Sequence, residues 1–263
     1  MAYDKVIDST QLDAAMSYTA NRIRAKTGDT NQIAWDSTKG FGDAVDAISG
    51  GGVDHSVEDA IITRSISGDY ENDRITTVGN SAFYACRALT SVNLENCVEI
   101  QYAAFQSCPG LTSVNAPILT TLGANAFYKS GLLTFNGPLV TSVGDACFQS
   151  ASRLTSVALP LVATVSSGCL RSCTKLERVD LGAATSIVRA AFTDSTALET
   201  LIIRTETLCT IADASVTLRG SKIAAGTGYI YVPDNLVDSY KAATNWVAFA
   251  NQIKPISELE ASA

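Results

Sequence analysis

The sequence has little of what most enzymes and nucleic-acid-binding proteins need. Among 263 residues there is one histidine, His55, so a multi-histidine metal site is excluded and any Ser-His-Asp or Cys-His catalyst would have to use it. Lys plus Arg is 19 against 26 for Asp plus Glu, so the net charge is −7 and the cation excess that phosphate binding needs is missing. Hydrophobic residues make up 46%, enough apolar material for a large core.

Membrane and targeting segments are also not found. No stretch approaches the roughly 18 apolar residues of a membrane span, so no membrane insertion is predicted. Residues 1–10 read MAYDKVIDST, without a cationic start followed by an apolar run, and no secretory signal peptide is predicted. No G-x-x-x-x-G-K-[ST] loop and no G-x-G-x-x-G motif occurs, and we expect neither a cofactor nor a nucleic-acid partner.

A repeat of about 22 residues fills the middle of the chain. Each unit has a large apolar anchor, a small residue directly before it and an aliphatic residue five positions before it. The six anchors are Phe83, Phe105, Phe127, Phe148, Leu170 and Phe192. One step is a residue shorter than the others because the third unit lacks a residue around Lys129–Gly131. A degenerate seventh unit is predicted at Ile211–Val216, with Val216 as its anchor.

Units this short cannot bury their own apolar face, so they are predicted to stack around a shared core. After each anchor a segment L-x-x-V-x-L reads as a short strand, with Val92 and Leu94 inward and Ser91 and Asn93 outward. The predicted fold class is an α/β-type solenoid of short strands plus short helical or irregular segments, preceded by a small α-helical module.

Five of the seven cysteines fall on repeat positions. Cys147 and Cys169 occupy the small position before the anchor, whereas Cys86, Cys108 and Cys173 follow the anchor by three residues. They are predicted to be small, buried, reduced thiols. Disulfides between neighbours in a column, such as Cys86 and Cys108, stay as the alternative.

The outward positions of the predicted strands form polar columns along the solenoid. The candidate binding residues are Ser91, Asn93, Ser113, Asn115, Thr134, Asn136, Arg178, Asp180, Ile202 and Arg204. Hydroxyl and amide groups suit contact with carbohydrate or another protein chain, and the alternative is that they only keep the solenoid soluble. The change to charged and apolar residues after Arg178 favours the C-terminal coils as the contact site.

Candidates for catalysis are few. His55 lies in a Gly-rich stretch and is predicted to be a solvated loop residue, and the alternating carboxylates of residues 69–73 are predicted to form an exposed acidic turn rather than a weak calcium site. Outward carboxylates that might cleave a glycoside occur only in the later coils, at Glu177, Asp180 and Glu199. We therefore predict a non-enzymatic protein without catalytic residues or a metal.

Terminal coils would expose apolar faces, so caps are predicted at both ends. The predicted boundaries are 57–74 for the N-terminal cap, 75–228 for the solenoid and 229–263 for a C-terminal strand–helix cap. A turn is predicted at Gly68–Asp69, a strand at 229–232 and a helix after Pro233. The aromatic residues of the C-terminal cap are expected to be buried against the last coil.

The repeat resembles the BspA-like leucine-rich-repeat family, whose units read roughly V-T-S-I-G-x-x-A-F-x-x-C-x-x-L-x-S-V-x-I-P. The core of that pattern is complete at Gly79–Cys86, and the likeness covers about Ile75 to Val216. Later units depart from it, since Leu170 replaces Phe and only some units keep the closing Pro. The resemblance implies a leucine-rich-repeat solenoid and suggests a bacterial cell-surface adhesin.

Residues 1–49 are predicted to be a helical anchoring module, followed by a Gly-rich linker at 50–56. The segments 20–28, 33–35 and 40–48 resemble a module of phage and prophage virion and tail proteins, although the usual Pro before Gly40-Phe41 is missing. The residues expected to dock this module on the particle are Leu12, Met16, Ile23, Trp35, Phe41, Val45 and Ile48.

The second resemblance implies a phage virion structural protein, in a tail fibre, a baseplate or a capsid decoration. Synthesis in the bacterial cytoplasm and localisation in the virion are then expected. The N-terminal module would bind other virion proteins as a homo-oligomer, and the solenoid would project to bind a host-surface glycan or protein. The alternative is the adhesin-like surface protein that the repeats suggest.

Overall fold

In the computed structural model, which describes residues 66–261, the chain winds through successive coils that contribute strands to a major and a minor sheet. Strand pairs within this region are parallel. The predicted module at 1–49, the linker at 50–56 and the first half of the cap at 57–74 lie outside the described residues. So do Leu12, Met16, Ile23, Trp35, Phe41, Val45, Ile48 and His55.

The major sheet takes the segments predicted from L-x-x-V-x-L. Its strands are β1 Ser67–Glu71, β3 Ala88–Asn93, β5 Ser113–Asn115, β7 Thr134–Asn136, β9 Ser156–Leu159, β11 Arg178–Leu181, β13 Thr200–Ile203, β15 Tyr229–Val232 and β16 Ile253–Pro255. Hydrogen-bonded pairing divides them into β1-β3-β5 and β7-β9-β11-β13-β15-β16. The predicted turn at Gly68–Asp69 is wrong, because these residues lie in β1 at a register shift, with φ of 75° at Gly68.

The minor sheet is made of two-residue strands that lie before each anchor. They are β2 Thr77–Val78, β4 Glu99–Ile100, β6 Thr121–Leu122, β8 Ser142–Val143, β10 Thr164–Val165, β12 Ser186–Ile187 and β14 Thr210–Ile211. Pairing again breaks once, between β8 and β10. In the coil that contains β7 and β8, β8 therefore pairs with β6 of the preceding coil and β7 pairs with β9 of the following coil.

The segments around the anchors are consecutive turns in the six coils with anchors from Phe83 to Phe192. The residues two before and two after the anchor have positive φ, as at Ser81 (56°) and Ala85 (60°) around Phe83. In most of these coils the backbone N–H groups of these two residues and of the anchor between them donate to carbonyl oxygens of the next coil, as Phe83 N does to Ala104 O at 2.8 Å. The left-handed conformation is unfavourable for L-residues, and this ladder of hydrogen bonds holds it in place.

The predicted anchors form the centre of the core. Four phenylalanine rings stack in sequence, with centroid distances of 4.9 Å for Phe83–Phe105 and 5.5 Å for both Phe105–Phe127 and Phe127–Phe148. Tyr70 closes the stack at its N-terminal end by an edge contact with Phe83 at 5.0 Å. The next anchor is aliphatic, and so the aromatic stack ends at Phe148.

All seven cysteines are buried and free, and the five at repeat positions lie in the core as predicted. In several coils the residue three after the anchor donates a hydrogen bond to the carbonyl oxygen of the preceding anchor. Cys108 Sγ donates to Phe83 O at 2.9 Å, Cys173 Sγ to Phe148 O at 3.0 Å, and Ser195 Oγ to Leu170 O at 2.6 Å. Burial raises the pKa of both Cys108 and Cys173 to about 12, so they stay protonated thiols near neutral pH.

The prediction that Val216 anchors the seventh unit is wrong. Here the chain forms a short helix, α1 Ala214–Thr217, instead of two turns, and Asp213 caps it. Asp194 N donates to Arg219 O, just as Ser172 N donates to Thr193 O one coil earlier, so Leu218 takes the position of Phe192. Leu218 is fully buried, whereas Val216 is half-buried.

The C-terminal cap contains more elements than the sequence indicates. After β15 come the 3-10 helix Asp234–Leu236, α2 Val237–Ala242, the 3-10 helix Val247–Gln252, the unexpected strand β16 and α3 Ile256–Glu260. Tyr240, Trp246 and Phe249 are buried, as expected. Cys209 N donates to Tyr240 Oη at 2.9 Å and Trp246 Nε1 donates to Cys209 O at 2.7 Å, so the cap also closes the polar backbone of the last coil.

Candidate binding surface

The outward side of the major sheet, called here the ladder face, brings the predicted binding residues into two columns. Strand register places Ser91, Ser113, Thr134, Ser156, Arg178, Thr200 and Tyr229 in the first column, and Asn93, Asn115, Asn136, Ala158, Asp180, Ile202, Tyr231 and Lys254 in the second. The sheet is interrupted between β5 and β7, where Thr134 and Asn136 continue the columns by sequence position. Val92 and Leu94 are buried, so the predicted alternation of inward and outward residues is confirmed.

At the N-terminal end, the ladder face is a hydrogen-bonded network between coils. Asp69 Oδ1 accepts from Ser91 Oγ at 2.6 Å and from Thr90 Oγ1 at 2.8 Å, and these bonds lower the pKa of Asp69. Asn93 Nδ2 donates to Glu71 Oε1 at 2.8 Å. These two carboxylates belong to a strand, so the predicted acidic turn over residues 69–73 is wrong for them.

An amide ladder continues this network into the middle coils. Asn115 Nδ2 donates to Asn93 Oδ1 at 2.7 Å, which leaves the carbonyl oxygen and one N–H of Asn115 directed to solvent. Ser113, Asn115, Thr134 and Asn136 are all exposed. The middle of the ladder face therefore offers exposed hydrogen-bonding groups, and the amide of Asn115 is orientated by Asn93.

The C-terminal end of the ladder face is charged. Arg204 donates from Nε to Asp180 Oδ1 at 2.9 Å and from Nη2 to Asp180 Oδ2 at 3.0 Å, in the bidentate geometry that suits a guanidinium. Arg204 also reaches Glu260 Oε1 at 3.2 Å, and Arg178 lies 3.6 Å from Asp180. Hydrogen bonding to Asp180 is the main cause that raises the pKa of Arg204.

Ile202 does not contribute to the exposed surface, contrary to the sequence prediction. It lies on the outward side of β13, since Leu201 and Ile203 face the core, and yet it is fully buried. Its neighbours in the column are Asp180 and Tyr231. α3 contacts β15 and β16, and Glu260 at its end binds Arg204. The C-terminal segment thus partly covers this end of the ladder face.

Tyr229 and Tyr231, which the sequence predicts to be buried in the C-terminal cap, belong to the ladder face. Tyr229 is exposed and Tyr231 is half-buried, so the expectation of burial is wrong for these two. Strand β15 pairs with β13, and Tyr229 and Tyr231 extend the two columns beside Thr200 and Ile202. The alternation Tyr-Ile-Tyr-Val, with Ile230 and Val232 fully buried, was the available signal.

Within residues 66–261, no three His, Cys, Asp or Glu side chains lie close enough to hold a metal ion. A shallow depression at the N-terminal end is lined by Glu71, Asn72, Asp73, Arg74 and Glu95.

No helix within residues 66–261 combines the length and the apolarity needed to cross a membrane.

Comparison with known proteins supports the repeat type. The family described as "BspA type Leucine rich repeat region (6 copies)" matches residues 68–155. Among curated proteins, none matches this chain significantly. Several solved structures of leucine-rich-repeat proteins are similar, and leucine-rich-repeat folds are typical of binding and structural proteins rather than enzymes.

A crystal structure of a leucine-rich repeat protein from Bacteroides ovatus has a TM-score of 0.56 and 24% identity, over 65% of this chain and 44% of that one. The chain thus spans less than half the length of that protein. The T. pallidum leucine-rich repeat protein has 21% identity and a TM-score of 0.39, over 50% of this chain and 77% of that one. The pneumococcal vaccine antigen PcpA has 16% identity and a TM-score of 0.47, over 71% and 41%.

The observed coils and these matches agree. The predicted solenoid fold is confirmed as a leucine-rich-repeat fold, and residues 68–155 are similar to the BspA-type repeat.

Proposed function

We propose that this chain is a non-enzymatic, adhesin-like binding protein that contacts its partner through the ladder face. The observation that carries this proposal is the pair of exposed amides at Asn115 and Asn136; the amide of Asn115 is orientated by its bond to Asn93 in the preceding coil but is not saturated by it. A surface that only conferred solubility would not need fixed polar groups in consecutive coils. The BspA-type match supports a role at a bacterial surface, because that family suggests adhesins.

A second candidate is the virion structural protein. The observation that favours it is the sequence resemblance of residues 20–28, 33–35 and 40–48 to phage-associated modules, which lie outside the described residues. Docking through Leu12, Met16, Ile23, Trp35, Phe41, Val45 and Ile48, and assembly as a homo-oligomer, belong to this candidate. The family and structures compared above carry no phage assignment, and the adhesin-like role is therefore preferred.

Immunogold electron microscopy distinguishes the two candidates. An antibody against residues 66–261 is applied to cells and to released particles of a culture that produces the protein. The adhesin-like role predicts gold on the cell surface and none on particles. Gold at tail tips or over heads would overturn it in favour of the virion role, with tail or capsid location read directly from the images.

The ladder face is tested by adding charge to it. We expect the double variant Asn115→Lys, Asn136→Lys to lose most of the binding of the purified chain to target cells, measured by flow cytometry. Ser142→Lys with Thr164→Lys adds the same charge to exposed residues of the minor strands and is the matched control. Equal loss in both variants, or no loss in either, would contradict a role for the ladder face.

A further inference from the structure

The C-terminal end of the ladder face has a small residue between two larger ones. Thr200 on β13 lies in register with Arg178 on β11 and Tyr229 on β15. Neighbouring strands are about 4.8 Å apart, so the backbones that carry the two flanking side chains are about 10 Å apart. Thr200 is half-buried and Tyr229 is 37% exposed. In this register the small side chain of Thr200 lies between an arginine and a tyrosine, and we call this stretch of the ladder face the trough.

The ring of Tyr229 is held in place. Lys254 Nζ lies 4.3 Å from the centroid of the Tyr229 ring, and Glu258 Oε2 binds the same ammonium group at 3.1 Å. The ring of Tyr231 is 6.3 Å from that of Tyr229, at 58°. One face of Tyr229 is thus covered by a cation, while Thr200, the small residue, lies beside it on the next strand. Aromatic rings that are already held in one orientation lose little conformational entropy when a ligand binds.

The charges around the trough are balanced. Lys222 Nζ lies 2.6 Å from Glu199 Oε2, Arg204 binds Asp180 and Glu260, and Lys254 binds Glu258. Each of these cations already has a carboxylate partner, so the surface has no excess positive potential to attract an anionic polymer. An ionised carboxylate has more lone pairs than one ion pair uses, so a group such as Glu199 can also accept hydrogen bonds from hydroxyl groups.

We propose that this trough, formed by Thr200, Tyr229, Tyr231 and Arg178, binds neutral carbohydrate. Aromatic rings pack against the C–H faces of a sugar, while paired carboxylates, a guanidinium and threonine exchange hydrogen bonds with its hydroxyls. A protein partner would instead need a larger apolar centre, and Ile202, the aliphatic residue at this place, is fully buried. The inference rests on the proposed binding function and gives it a ligand class.

The test uses the full chain in affinity electrophoresis against dextran, mannan and galactan, with hyaluronan and heparin as anionic probes. We expect binding to at least one neutral polysaccharide, unchanged at high salt. Tyr229→Ala with Tyr231→Ala should weaken it by about tenfold, whereas Tyr229→Phe with Tyr231→Phe should keep the rings and most of the affinity. Tyr102→Ala, at an exposed tyrosine beside the turns, is the control.

The outcomes separate this inference from the proposed function. Binding only to hyaluronan or heparin, lost at high salt, would overturn the choice of a neutral ligand. Cell binding that survives periodate oxidation of cell-surface glycans, or that both Tyr→Ala substitutions leave unchanged, would overturn the carbohydrate site while leaving the adhesin-like role intact. Absence of binding both to polysaccharides and to cells would overturn both.

Discussion

The coils before residue 150 and those after it follow the same repeat, but different interactions stabilise them. The earlier coils contain a continuous stack of four phenylalanine rings and a neutral amide ladder outside. In the later coils Leu170 interrupts the aromatic column, and ion pairs and tyrosines occupy the ladder face. The comparison shows that the repeat specifies where side chains lie, while their chemistry varies freely on the outward side.

The shortened third unit lies about one coil before this change at residue 150. The residue missing around Lys129–Gly131 precedes β7, where the major sheet is interrupted. Ser130 Oγ is buried there without a hydrogen-bond partner, whereas the equivalent Ser195 Oγ donates to Leu170 O. The backbone hydrogen bonds between the turns of neighbouring coils continue past the missing residue, for example from Phe127 N to Cys147 O at 2.8 Å. The missing residue thus coincides with a break in the major sheet, while the hydrogen bonds between the turns keep the coils stacked.

The largest expected effect is the loss of a ring from the stack. Phe127→Ala removes a side chain in contact with Phe105, Phe135 and Phe148 and should lower the free energy of unfolding by about 3–5 kcal/mol. Phe192→Ala, in the aliphatic region, should cost less because no ring pair is lost with it. Urea unfolding followed by circular dichroism measures both, and equal losses would remove the distinction between the two regions.

Alkaline pH should destabilise both regions alike through their thiols. The folded pKa of Cys108 and of Cys173 is about 12, above the unfolded value near 8.5, so each contribution is complete below pH ~8.5 and is lost as pH rises through about 12. The loss is about 1.4 kcal/mol per pH unit for each thiol within that window. Urea unfolding from pH 7 to 11 measures the slope.

Serine variants identify the source of that slope. Cys108→Ser and Cys173→Ser should retain the bond to the carbonyl oxygen, as Ser195 does, and each should remove one thiol's share of the slope. An unchanged slope in both variants would show that other groups cause the alkaline loss.

A smaller effect is expected from the ion pairs of the later coils. Arg204→Ala removes contacts to Asp180 and Glu260, but the side chain is 40% exposed, so the loss should be about 1 kcal/mol or less after screening by solvent. Added salt should reduce the difference from the parent chain. Urea unfolding at low and high NaCl concentration measures it, and a loss independent of salt would argue for packing instead.

The smallest effect is expected from the amide ladder. Asn115→Ala removes an exposed bond to Asn93 and should change the free energy of unfolding by no more than about 0.5 kcal/mol, without dependence on salt. The same urea experiments measure it. A loss as large as that of Arg204→Ala would mean that the ladder stabilises the fold rather than presenting groups to a partner.

Much of the fold follows from the sequence. The period of the anchors, the inward Val92 and Leu94, and the buried thiols at repeat positions could all be predicted, because stacking forces equivalent residues into equivalent environments. Prediction failed where the repeat is imperfect. Leu218 replaces Val216 because a helix takes more residues than two turns, and this depends on the cap that packs beyond it.

The candidate site was predicted only in part. The hydroxyl and amide columns could be read from the outward positions, but the partners of Asp69 and Glu71 required the register of β1 against β3. The tyrosines of β15 were assigned to a cap because their unit lacks the repeat spacing, and only pairing with β13 brings them beside Thr200.

The sequence by itself determined the solenoid, its core columns and the exclusion of a multi-histidine metal site, since these depend on periodicity and composition. The tertiary structure decided which outward residues meet. Arg204 reaches Asp180 and Glu260 across 24 and 56 residues of sequence, and α3 lies at the end of the face that contains the buried Ile202. The contact with Glu260 joins a coil to the cap, where no period relates one residue to another, and the contact with Asp180 departs from the period of about 22, so only the folded chain brings these groups together.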